Sequence, residues 1–167
     1  MKTTRHFIIF IIAMLLSIPA ASMCHAYSGQ YNFRHLDSND GLSANNGKSI
    51  GRGRLGFMWF GTKNGLNRYD GSKIKVYNCY DEALGRGNNN IGALYEDENS
   101  MLWIGTDRGI YRYDPHADVI THVESKADDG VEAGNWVQRI TGDRKGTIWA
   151  ALPNQGIFRY RDGKVKH

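Results

Sequence analysis

Chemistry needs side chains that converge, and the reactive groups of this chain instead return at a fixed interval. Trp59, Trp103 and Trp149 stand 44 and 46 residues apart, and Arg68, Arg112 and Arg159 follow in the same register. Three indoles in a row would suit stacking on sugar faces, and three guanidinium groups would suit an anion-binding ring. A Trp that recurs at one position of every repeat, flanked by apolar residues, is explained first by packing between repeats. The arginines are explained by pairing with nearby carboxylates such as Asp70 and Asp114. Asp97-Glu98-Asn99 and Asp143-Arg144-Lys145 have the opening oxygens of a calcium loop but lack its other ligands and central Gly, so they read as turns. His35 and His122 occupy matching positions with no Ser or Cys nucleophile beside them. Asp128-Asp129 precedes Gly130 and reads as a loop cap. No catalytic residue, metal site or cofactor is expected. Trp136 is the exception, because it falls outside the repeat register, in the place held by Ile91 one repeat earlier. Both inner-strand packing and aromatic contact with a sugar face account for it.

The elements that carry these residues follow from the repeat. WFGTKNGLNRYDG (Trp59 to Gly71) returns as WIGTDRGIYRYD (Trp103 to Asp114) and as WAALPNQGIFRYRDG (Trp149 to Gly163), the last with one extra loop residue. A period in the forties with alternating apolar residues and no helical stretch is the length of one four-stranded propeller blade. The fold class expected is all-β, a β-propeller fragment of about three four-stranded blades, at about 49–80, 91–124 and 137–167. Leu102, Trp103 and Ile104 are apolar side by side, as a strand covered on both faces requires. The residues YNFRHLDSNDGLS (Tyr31 to Ser43) align with VITHVESKADDGVE (Val119 to Glu132), the outer strand and exit loop of the second blade. Tyr31 to Leu36 are therefore expected to form an orphan strand of the kind that closes a propeller ring, left here without a partner or pairing adventitiously, within a leader spanning 27–48. Three blades are fewer than the roughly four to eight of a closed ring, so the remaining blades of a longer parent chain are expected partners.

Residues 1–26 read as a secretory signal peptide: Lys2 and Arg5, an apolar run from Phe7 to Ile18, then Pro19 and small residues up to Ala26. Cleavage is expected after Ala26, with a cut after Ser22 as the alternative, and retention as an anchor stays open. It holds two of the 21 basic residues and none of the 17 acidic ones, which leaves 19 against 17 and a net charge of +2. No basic cluster remains to support nucleic-acid binding. Cys79 is the one cysteine of the mature chain, so no internal disulfide is expected.

GFMWFGTKNGLNRYDG resembles the two-component regulator propeller repeat of the exported sensor half of hybrid histidine kinases, and FRHLDSNDGLS resembles the usual opening of those sensors. The first repeat carries the resemblance most specifically. Gly53 stands where the later repeats have Asp97 and Asp143, Ser100 replaces the Gly of Gly56 and Gly146, and Ala150-Ala151 replaces Gly-Thr. The resemblance implies an exported, periplasmic sensor region whose inner-membrane parent carries a further β-sandwich, a transmembrane helix, kinase and receiver domains and often a DNA-binding domain. It also implies a homodimeric parent and an oligosaccharide or other small extracytoplasmic ligand. A propeller enzyme acting on glycans, a sensor coupled to a diguanylate cyclase and a protein-binding scaffold are the alternatives.

In a four-strand meander the loop entering strand one and the loop joining strands two and three emerge at the same end. Lys63, Asn64, Asp107, Arg108, Asn135, Trp136, Asn154 and Gln155 are thus expected on one face, together with Asn88 to Asn90. Their amides, charges and one indole suit a polyhydroxylated ligand.

Overall fold

The computed structural model describes residues 33–81 and 85–167. The expected signal peptide lies outside these residues. Residues 35–167 form one compact unit, and it contains three antiparallel four-stranded meanders, the architecture the repeat requires. The first comprises β1 (Gly47–Arg52), β2 (Met58–Thr62), β3 (Gly65–Tyr69) and β4 (Ile74–Tyr77). The second comprises β7 (Ile91–Glu96), β8 (Leu102–Thr106), β9 (Gly109–Asp114) and β10 (Val119–His122). The third comprises β11 (Arg139–Gly142), β12 (Ile148–Leu152), β13 (Gly156–Arg161) and β14 (Lys164–Lys166). Neighbouring sheets meet along their first strands, β1 beside β7 and β7 beside β11.

One feature departs from the expected layout. The stretch read as a plain loop between the first two blades holds a small hairpin, β5 (Tyr80–Asp81) with β6 (Arg86–Gly87). It is anchored because Cys79 N–H donates to Asn89 Oδ1 at 2.9 Å and Asn88 N–H donates to Cys79 O at 2.8 Å. The expected orphan strand is in keeping with its reading: Tyr31 and Asn32 lie outside the described residues, and Phe33 to Leu36 join no ladder. Each sheet here already has its own fourth strand, so a ring-closing strand has no vacant place among them. The turn that follows does match its aligned counterpart: Gly41 and Gly130 both take positive φ, 106° and 84°. Ser43 then ties this leader to the first blade, its N–H donating to Asn67 Oδ1 and its hydroxyl lying 2.8 Å from Thr62 Oγ1.

The core is divided between the two interfaces that the stacked sheets create. Trp59, Leu66, Tyr77, Ile104, Tyr111 and Tyr113 fill the space between the first two blades. Trp103, Ile110, Ile148, Ala150, Phe158 and Tyr160 fill that between the second and third. Every residue of β8 is buried, because the middle blade is covered on both faces, as Leu102-Trp103-Ile104 requires.

The Gly-Thr pair that follows Trp59 and Trp103 has a physical cause. A Cβ on Gly61 would fall 2.6 Å from Ile91 Cγ2, and one on Gly105 would fall 2.7 Å from Val137 Cγ1, so each glycine admits the next blade. Thr62 and Thr106 close the following turns, their hydroxyls donating to Gly65 O and Gly109 O at 3.2 and 2.9 Å. The motif is therefore a packing and turn signature.

Candidate functional site

The turn carboxylates come first, because they mark the end of the sheets opposite the expected ligand loops. Asp97 Oδ1 accepts from the N–H groups of Asn99 and Met101 at 2.9 and 3.0 Å, and its Oδ2 accepts from Trp103 Nε1 at 2.9 Å. Asp143 Oδ1 accepts from Lys145 and Thr147 N–H at 2.8 and 2.9 Å, which holds its carboxyl below the usual range. These oxygens are committed to turns, and no cation need be invoked. In the first blade, where Gly53 stands in place of Asp, Glu96 of the next blade supplies the carboxylate and accepts from Arg54 N–H at 2.8 Å.

Arg68 is a packing residue in the sense expected of it, but its carboxylate is neither Asp70 nor Asp114. Its guanidinium lies over Phe57 at 4.5 Å, donates to Tyr113 Oη at 3.2 Å and sits 3.9 Å from Asp118 Oδ1. Asp118 also accepts from Lys75 Nζ at 2.5 Å, Tyr77 Oη at 2.7 Å and Tyr113 Oη at 2.9 Å. Those bonds hold its carboxyl well below the ordinary carboxylate range. Asp70 and Asp114 instead cap their own turns. His122 ends β10 with its ring 5.0 Å from that of Tyr111, whereas its aligned partner His35 lies in no strand.

At the other end of the sheets lie the turns of Lys63-Asn64, Asp107-Arg108 and Asn154-Gln155, which join β2 to β3, β8 to β9 and β12 to β13. Lys63, Asn64, Arg108, Asn135 and Asn154 are exposed, and Asp107 and Gln155 are half-buried. The loops entering the first strands join them at this end: Asp107 N–H donates to Asn90 O at 3.1 Å, and Val137 N–H to Thr106 O at 2.9 Å. Gln155 uses its amide on Glu132 O at 3.1 Å. Asn88 is a structural residue, buried with its Nδ2 donating to Tyr111 Oη at 2.6 Å.

Val137, which meets Gly105 as Ile91 meets Gly61, takes the place expected of Trp136; Trp136 precedes β11, which begins at Arg139, and does not belong to an inner strand. Its indole is 51% exposed and rests on the backbone of β7, where a Cβ on Gly92 would meet Nε1 at 3.1 Å. Gly92 lines a cleft of about 250 Å³ between the three first strands, together with Lys48, Ser49, Gln138 and Arg139. Lys48 Nζ donates to Asn90 Oδ1 at 2.7 Å. None of the eight residues expected at the site lines this cleft. Lys48, Gln138 and Arg139 were legible only as residues on the first strand of a blade or beside it, a signal too weak without the packing.

Fold and repeat together define a β-propeller segment. Residues 85–108 match the family model described as two component regulator propeller. The match falls on the second repeat, although the first had carried the resemblance most specifically. Among solved structures, the extracellular domain of a hybrid two component system from B. thetaiotaomicron superposes with a TM-score of 0.70 at 26% identity, covering 80% of this chain and 20% of that one. A second extracellular domain from the same organism superposes with a TM-score of 0.63 at 26% identity, covering 75% and 18%. Histidine kinase P4 of Formosa agariphila is 34% identical over 64 residues, 38% of this chain and 5% of that protein. The chain thus spans a small fraction of the proteins it matches. Among the described residues no helix is long and apolar enough to cross a membrane.

Proposed function

We propose that this chain is the N-terminal part of the periplasmic ligand-sensing propeller of a hybrid histidine kinase, and that its ligand is a carbohydrate fragment bound at the loop end. The observation that carries the reading is Trp136, a half-exposed indole held against β7 beside a cleft lined by Lys48, Gln138 and Arg139. A flat apolar face next to amide and cationic donors is what a sugar ring and its hydroxyl groups use. The likeness to extracellular domains of hybrid two component systems supports the sensor role. The match to a histidine kinase supports the output.

Replacing Trp136 and Arg108 by Ala in the full-length sensor is expected to weaken oligosaccharide binding at least several-fold while leaving the thermal unfolding unchanged. Unchanged affinity would remove both residues from the site. Reading the parent protein past His167 tests the output: a transmembrane helix, a phosphoacceptor-His helix and a nucleotide-binding domain are expected. A chain with none of these after the propeller overturns the kinase assignment.

A further inference from the structure

Neighbouring blades meet along their first strands, and those strands do not begin regularly. In the first blade Gly47 lies opposite Thr62 and Ser49 opposite Gly61, which leaves Lys48 as an extra residue. In the second, Ile91 lies opposite Thr106 and Ala93 opposite Gly105, which leaves Gly92 as the extra residue. The third ladder begins at Arg139 opposite Ala151. Gln138, which follows Val137 as Gly92 follows Ile91, donates its N–H to Ala151 O at 3.0 Å. A bulge takes its extra residue out of the ladder and re-aims the side chain. Lys48, Gly92 and Gln138 all line the same cleft of about 250 Å³.

The three positions contribute differently. Gly92 has no side chain and leaves its place to the Trp136 indole, whose Nε1 would lie 3.1 Å from a Cβ there. Gln138 is exposed and brings an amide that both donates and accepts. Lys48 is exposed, and its ammonium is directed by a neutral group, Asn90 Oδ1 at 2.7 Å, which leaves two of its three N–H donors over. Arg139 is the other charged residue of the lining. Among the described residues neither Lys48 nor Arg139 pairs with a carboxylate, and no carboxylate lines the cleft. At the other end of the sheets, by contrast, Arg68 and Lys75 share Asp118. Asp107, the acidic residue expected at the loop end, is half-buried and lies outside the lining. The cleft thus holds two cations with no anion to answer them.

We infer that the sugar bound here is an acidic one: a pyranose residue whose anionic group, a carboxylate or a sulfate ester, accepts from Lys48 Nζ. Its ring lies on Trp136, and its hydroxyl groups meet the Gln138 amide. The inference rests on the loop-end carbohydrate reading and adds to it the class of sugar. An ammonium acts as a point charge and answers either anion, whereas an uncharged sugar leaves the positive charge unanswered. The volume is close to the lower end of small-molecule sites, about 300 Å³, and suits one residue at the end of a fragment.

The test is to titrate the full-length sensor by calorimetry with oligosaccharides of galacturonate, of glucuronate and of sulfated galactose, and with uncharged galactose and glucose oligosaccharides of the same length. At least one acidic set is expected to bind about ten-fold tighter than its uncharged counterpart, and to weaken as salt is raised. Which acidic set binds separates the carboxylate from the sulfate ester. Lys48→Met keeps the alkyl stem and is expected to weaken the acidic sugar about ten-fold, the size of one charge-assisted hydrogen bond, with circular dichroism unchanged. Lys164→Met, beside the β13–β14 turn at the opposite end of the sheets, is expected to leave the affinity as it was. Uncharged sugars binding as tightly as acidic ones, or an unchanged affinity in Lys48→Met, overturns the inference and leaves the carbohydrate reading standing. Binding of no sugar at all overturns both.

Discussion

Removing the same hydroxyl from two equivalent tyrosines should have opposite consequences, because one is fully partnered and the other is not. Tyr113 and Tyr160 are both buried, at 1% and 5% exposure, and both pack on a Trp of the preceding blade. The Tyr113 hydroxyl lies 2.9 Å from Asp118 Oδ1, 3.2 Å from Arg68 Nη1 and 3.4 Å from Tyr77 Oη. A hydrogen bond to a charged group contributes about 1.5–3 kcal/mol. Asp118 is partly open to solvent, its side chain 46% exposed, which brings the expected cost of Tyr113→Phe down to about 1–2 kcal/mol. For a chain of this size that is a fall in melting temperature of about 3–10 °C. Tyr160→Phe removes a buried hydroxyl that has no partner, so it should be neutral or stabilising by up to about 1 kcal/mol. Both variants keep the aromatic ring and its stacking, so differences in packing cancel. Thermal and urea unfolding followed by circular dichroism measure the two changes. Equal losses, or a larger loss in Tyr160→Phe, would refute the reasoning that partnering at the blade interface decides the sign.

Gly105→Ala should destabilise by about 1–3 kcal/mol, because the new Cβ meets Val137 Cγ1 at 2.7 Å and must displace the next blade's entry; urea midpoints of the two proteins check this. The Asp118 carboxyl is held below its ordinary value first by the Lys75 hydrogen bond, then by Tyr77 and Tyr113. Its stabilising contribution is therefore complete above about pH 4 and lost as pH falls through the lowered folded value, and Asp118→Asn should flatten the acid limb of a stability–pH curve. Cys79 is fully buried, which pushes its thiol up to about 12. In a chain lacking residues 1–26, a thiol reagent at pH 8 should label it only after denaturant is added. Trp149 and Ile157 are 38% and 59% exposed on the third blade, while the corresponding Trp59 and Trp103 are covered; the chain alone should associate with rising concentration in sedimentation, and a sharp monomer at all concentrations would count against that.

The sequence by itself determined the blade and its repetition, because these rest on local rules. A Trp, a small pair, a Gly and an Arg-Tyr returning in register spell strand, tight turn and strand. The Asp at the head of the β7–β8 and β11–β12 turns declares its hydrogen bonds through the residues beside it. The loop-end residues Lys63, Asn64, Arg108, Asn154 and Trp136 were placed on one face by topology alone, since a meander returns alternate loops to the same end. The tertiary structure decided everything that passes between blades. Arg68 found Asp118, 50 residues away, and neither nearby Asp70 nor Asp114. Asn88 turned inward to Tyr111. Lys48, Gly92 and Gln138 read in the sequence as ordinary residues of a first strand, and only the register of the stacked sheets shows that they line one cleft. The physical reason is that hydrogen bonds within a turn are fixed by neighbours in the chain, whereas the chemistry of an interface depends on which side chains two separate sheets bring to the same place.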